Sequence, residues 1–143
     1  MATFADGMSR ITLSTSGLPG SIPPSIWQLP HLQHLTIEDP NVIDAVYNHP
    51  DQPPPYKLHG SLPSTFGFCS AAGSTIEDMV IRGVNLTGHI PASIDNCASL
   101  QKLKLSHASL EGPIPSSLGS LTQLQNLYLN DNNLAEPKRT QLD

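Results

Sequence analysis

The most constraining feature of this 143-residue chain is a motif, Leu-x-Gly-x-(Ile/Leu)-Pro, that occurs four times. Its copies run from Leu18 to Pro23, Leu58 to Pro63, Leu86 to Pro91 and Leu110 to Pro115, and the last two start 24 residues apart. A second pattern, apolar residues spaced by three and then two, recurs five times. It reads Met8, Ile11, Leu13; Leu32, Leu35, Ile37; Ile76, Met79, Ile81; Leu100, Leu103, Leu105; and Leu124, Leu127, Leu129. A period of this length marks stacked coils, each burying its apolar edges only against the next.

Each part of the unit has a physical reading. In Leu103-Lys104-Leu105 two apolar residues flank a polar one, the period of a half-buried strand. Gly112 follows, where the backbone can take positive φ or approach a neighbour closely. After Ile114-Pro115, the run Ser116 to Leu121 predicts a short helical or 3₁₀ return with Leu118 and Leu121 inward.

Composition agrees with a packed repeat and excludes several alternatives. Leu, Ile, Val and Phe make up 36 of 143 residues, well above the disordered range. Fourteen prolines, about twice ordinary usage, argue against long helices and central strands. A net charge of -5 with seven Lys plus Arg leaves no phosphate-tracking surface, so no nucleic-acid partner is expected. No apolar run is long enough for a transmembrane segment, and the opening residues lack the pattern of a signal peptide.

The motifs resemble the plant-type leucine-rich repeat, LxxLxxLxLxxNxLxGxIPxxLxx, over about five coils from Met8 to Leu134. The resemblance implies an α/β repeat solenoid, a right-handed horseshoe with a parallel concave β-sheet and 3₁₀ or turn segments outside. The single domain, 1–143, divides into coils at approximately 5–28, 29–68, 69–96, 97–120 and 121–143. It also implies an extracellular or cell-surface setting and a non-catalytic, signalling role as a fragment of a receptor-like kinase or receptor-like protein ectodomain. Such a module takes a protein or peptide ligand, with a co-receptor as a further partner. The alternative it implies is a secreted inhibitor of a cell-wall-degrading enzyme, similar to the polygalacturonase-inhibiting proteins. Ice binding needs aligned Thr over many coils, and only Thr12 and Thr36 align.

Departures from the pattern are informative. About four residues are inserted around Ser70 to Ser74, and 16 extra residues swell the second coil. The larger insertion, about 43–57, holds Pro50 and Pro53-Pro54-Pro55 with Tyr47 and Tyr56. It is expected to form no regular strand or helix and to project beside the concave rim. The family's Asn ladder survives only at Asn132; Ser16, Pro40, Val84 and Ala108 stand in its place, predicting looser coil-to-coil order there or water in the Asn role. Capping segments are not evident, and Glu136 stands where the next Gly belongs, so bare ends are expected to promote association.

Strand residues that do not point inward define the candidate ligand-binding face. One row reads Arg10, His34, Asp78, Lys102 and Asn126; the central row reads Thr12, Thr36, Val80, Lys104 and Tyr128. A third reads Ser14, Glu38, Arg82, Ser106 and Asn130, beside Thr15, Asp39, Gly83, His107 and Asp131. Tyr128 and Arg82 have the side chains of interface anchors. The competing reading is a solvated sheet whose charges pair across strands, Glu38 with Arg82 and Asp78 with Lys102.

The remaining reactive side chains form no catalytic set. The six histidines lack HExxH spacing and scatter over the coil, so neither a metal nor another cofactor is expected. No GxSxG and no glycine-rich phosphate loop is present. Cys69 and Cys97 share one inward coil position; a bridge is geometrically conceivable, but the apolar placement favours two buried thiols. Asn85-Leu86-Thr87 is a glycosylation sequon at the start of an outer turn, where Asn85 is expected to be exposed.

Overall fold

The computed structural model describes residues 8–15, 19–70 and 73–135. Ser16, Leu18, Glu136 and the two ends that the sequence reads as bare lie outside them. Five strands, Arg10–Ser14, His34–Glu38, Asp78–Arg82, Lys102–Ser106 and Asn126–Tyr128, form one parallel sheet in chain order. Their register is the one the repeat demands. Arg10, His34, Asp78, Lys102 and Asn126 are successive partners, as are Ile11, Leu35, Met79, Leu103 and Leu127.

One-sided burial follows from that register. Leu35, Ile37, Met79, Ile81, Leu103 and Leu105 are fully buried, each covered by coils on both sides. On the two outer strands the same positions lose one neighbour: Leu13 is 40% exposed and Leu127 45%.

The Leu-x-Gly segments add shorter parallel strands on the flank. Gly20–Ser21, Leu58–Ser61 and Asn85–Thr87 form one sheet, and Glu111–Pro113 pairs with Asn133–Ala135. Gly112 has φ +76, and a Cβ there would meet the His89 ring at 2.8 Å, so both reasons for a glycine apply. The returns are 3₁₀ helices, Pro24–Gln28, Ala92–Asn96 and Ser116–Ser120, with Leu118 and Leu121 buried as the spacing predicts. Trp27, Phe66 and Phe68 pack in sequence beneath the second coil, with ring centroids 6.1 and 5.4 Å apart.

Three expectations are corrected. The large insertion opens with an α-helix, Pro40–Asn48. Its prolines bracket the helix instead of breaking it. Pro40 occupies the first turn, where its missing N–H is no loss, and the Asp39 carboxylate accepts from the Asn41 N–H as N-cap. Val42 and Ile43 are buried, and only the stretch from Pro50 onward is irregular. Nor does the insertion simply project. Tyr56 Oη donates to the Ala108 carbonyl at 3.0 Å, and the Tyr47 ring lies 5.4 Å from His107. The segment clasps the rim.

The cysteines form a disulfide, not two thiols. Stacking brings their Cα atoms to 4.7 Å, within bridging range, and burial is as compatible with a disulfide as with a thiol. The smaller insertion beside Cys69 is an antiparallel hairpin, Cys69–Ser70 against Gly73–Ser74.

The missing Asn ladder does not leave the coils unlinked. Asp39 N–H donates to the Arg82 carbonyl, Gly83 N–H to His107 and Ala108 N–H to Asp131, each joining neighbouring coils directly. Asn132 acts as the family pattern implies: its amide nitrogen donates to the Leu105 and Leu129 carbonyls, and its oxygen accepts from Leu110 N–H.

Candidate ligand-binding site

Strand alternation turns every second side chain away from the core, and parallel register lines those side chains up across five coils. The central row therefore runs Thr12, Thr36, Val80, Lys104, Tyr128 across the sheet, as the sequence spacing predicts. Its character changes along the way. Thr12 at the N-terminal end is small and exposed, whereas Lys104 lies 4.8 Å over the Tyr128 ring at the other.

Charges pair in part as expected. Glu38 Oε2 stands 3.9 Å from Arg82 Nε, an ion pair beyond hydrogen-bond distance. Asp78 turns to His34, not Lys102: its Oδ2 is 2.8 Å from His34 Nδ1, and Glu77 approaches the other ring nitrogen at 3.9 Å. Arg10, Thr36, Val80, Lys102 and Asn126 occupy the rows around these pairs.

At the C-terminal edge of the sheet the insertion helix adds a wall. Tyr47, 69% exposed, faces Tyr128 across a depression of about 270 Å³ that also takes in Arg82, Lys104, Ser106, His107 and Asn130. Six residues that the sequence assigns to the ligand face, Arg82, Lys104, Ser106, His107, Tyr128 and Asn130, thus meet around one hollow. Partial burial pulls the Lys104 pKa below its ordinary value; Arg82 and Lys102 push it the same way, and Glu38 opposes them.

His107 is not the open contact its position in the repeat implied. It is 4% exposed, has φ +50, and tucks its ring under Tyr47 with Nε2 3.2 Å from Asp131 Oδ2. Burial pulls its pKa down, Asp131 opposes that shift, and Arg82 and Lys104 reinforce it. The side chain forms the floor of the hollow. Ser106, read as facing outward, is also fully buried there. Tyr47 is the residue that sequence reasoning missed. The available signal was an aromatic placed in a segment that leaves the sheet at its rim.

Asn85 lies elsewhere. It is half-buried, not exposed as its place at an outer turn implied, because it pairs in the flank strand Asn85–Thr87, on a groove of about 830 Å³ shared with Ile22, Trp27, Gln28 and His59.

Comparison with known proteins agrees with this geometry. A family model described as Leucine Rich Repeat matches residues 99–121. No curated protein matches the chain. Among solved structures, the chain is similar to the BIR3–SERK2 complex from Arabidopsis thaliana, at 30% identity and a TM-score of 0.65. That match covers 88% of this chain and 57% of the other. It is similar also to the Arabidopsis receptor kinase HAESA ectodomain in complex with an N-terminally extended IDA peptide hormone, at 26% identity and a TM-score of 0.70. There it covers 90% of this chain and 18% of the other. The BIR2 ectodomain from Arabidopsis thaliana, at 23% identity and a TM-score of 0.65, shares the fold over 87% of this chain and 55% of its own length. The chain therefore spans just over half of the first of these relatives and under a fifth of the second. No enzymatic family emerges. The chain thus carries a Leucine Rich Repeat over residues 99–121 and shares the leucine-rich-repeat solenoid fold of these plant receptor ectodomains.

Proposed function

We propose that this chain is a non-catalytic recognition module that holds a peptide or protein segment along its concave sheet, centred on the hollow between Tyr47 and Tyr128. The observation that carries the reading is the convergence there of Arg82, Lys104, His107, Tyr128 and Asn130 from three coils with Tyr47 from the insertion. An aromatic pair beside two partly buried cations has the composition of an interface hot spot. Similar proteins support the ligand class: HAESA is solved with a peptide hormone, and BIR3 with SERK2. The module would act within a receptor-like ectodomain, with a co-receptor ectodomain as second partner.

Selection of a displayed random peptide library on the immobilised chain tests this. Tyr128→Ala and Lys104→Glu are each expected to weaken the selected peptides by about tenfold or more, the scale of a hot-spot truncation. His59→Ala on the flank groove should change little. Peptides that lose affinity only with the flank variant, or a library that yields no binders, would overturn the reading.

A further inference from the structure

We infer that the hollow between Tyr47 and Tyr128 takes a side-chain carboxylate, an Asp or Glu of the bound peptide. This deepens the concave-face reading and rests on it. Charge is the first reason. The chain carries -5 overall and only seven Lys plus Arg. Three of those seven, Arg82, Lys102 and Lys104, nevertheless stand on two adjoining strands. The lining of the hollow includes Arg82 and Lys104 and contains no Asp or Glu. A positive hollow on a negative protein selects for an anion.

Unmet hydrogen bonding is the second reason. Ser106 Oγ and Arg82 Nε are buried without a hydrogen bond, and His107 beside them has only an ion-pair contact, its Nε2 3.2 Å from Asp131 Oδ2. All three side chains line the hollow, with Ser106 and His107 more than nine-tenths buried. Buried donors without acceptors are costly, and a native chain keeps them together where something accepts from them. Geometry and size select among anions. A carboxylate is planar and offers two oxygens to a guanidinium edge and a hydroxyl at once. A volume of about 270 Å³ exceeds one carboxylate and suits a whole acidic side chain, with its methylenes against the two tyrosine rings. Burial first, and after it the like charges of Arg82 and Lys102, lower the Lys104 pKa, and an anion would relieve the second of these.

Two internal carboxylates flank the hollow. Asp131 lies at 3.2 Å from His107 Nε2, and Glu38 at 3.9 Å from Arg82 Nε. The second is too long for a hydrogen bond and leaves Arg82 available, so Glu38 acts as a weak internal competitor.

The test is an NMR titration of the whole chain with N-acetyl-glutamate N-methylamide, its glutamine counterpart and inorganic phosphate. The glutamate compound should give saturable shifts at the Tyr47 and Tyr128 rings and at Lys104. The glutamine compound should bind about tenfold more weakly or not at all, as loss of a charge-assisted pair implies. Arg82→Gln and Ser106→Ala should each weaken the glutamate compound several-fold, Glu38→Gln should tighten it, and Lys57→Gln should leave it unchanged. Ser106→Ala removes only an unpartnered hydroxyl, so it keeps the test sound if Arg82→Gln fails to fold. Equal response to glutamine, no saturable shift, or phosphate binding as tightly as glutamate would each overturn the assignment. A failed titration beside a successful peptide selection would remove the carboxylate pocket alone. A successful titration beside a failed selection would remove the peptide reading alone.

Discussion

Asn132 shows how much inter-coil cohesion one side chain supplies. It bonds Leu105, Leu129 and Leu110 at once, so its amide spans the fourth and fifth coils. Asn132→Ala leaves those backbone groups short of partners and should cost about 1–3 kcal/mol, read as a lower urea midpoint. His107 works differently, through its ionisation. Its folded pKa lies below the ordinary 6.5, because burial favours the neutral ring and Arg82 and Lys104 add to that against Asp131. The unfolded chain therefore binds the proton first as pH falls. This contribution to stability is whole above about pH 6.5 and is lost progressively below it, toward the folded pKa. His107→Asn, a residue tolerant of the positive φ at this position, should lose less stability than wild type between pH 7 and 5. Equal losses in the two proteins would refute that assignment.

At the scale of elements, the insertion and the disulfide are additions to a repeat that would stack without them. Tyr56→Phe removes only the hydrogen bond to Ala108 and should destabilise the clasp by about 1 kcal/mol, seen as faster amide exchange from Pro40 to Tyr56. Cys69 and Cys97 close a loop of 28 residues, so replacing both with alanine should cost about 3–4 kcal/mol by chain entropy. Denaturant unfolding with and without reductant measures it; an unchanged midpoint would contradict the prediction. The strands, the inward Leu positions, Gly112 and the 3₁₀ return were legible in the sequence because one-sided burial writes a period into it. The helix was not, since the Asp39-Pro40 cap signal sat next to a proline-rich run that pointed the other way. The disulfide was not legible either, because both redox states prefer the same buried positions. The floor of the hollow was hidden for another reason. His107 and Ser106 follow the outward period of their strand and turn, and their cover comes from Tyr47 on a distant stretch of chain.

For the molecule as a whole, stacking makes stability a local sum that is highest where a coil has two neighbours. Met79, Ile81, Leu103 and Leu105 are fully buried, whereas Leu13 and Leu127 on the outer strands are exposed. Hydrogen exchange should accordingly be slowest in Asp78–Arg82 and Lys102–Ser106 and quicken toward Arg10–Ser14 and Asn126–Tyr128. Uniform protection across all five strands would argue for a cooperative unit instead of stacked coils. The clasp qualifies that local picture. A simple stack can gain or lose a coil and change only its length. Here Tyr47 and Tyr56 leave the second coil and reach His107 and Ala108 in the fourth, passing over the coil that contains Asp78–Arg82. The insertion is therefore a ruler: it fits one spacing, and duplicating or deleting that middle coil would leave its two tyrosines stranded.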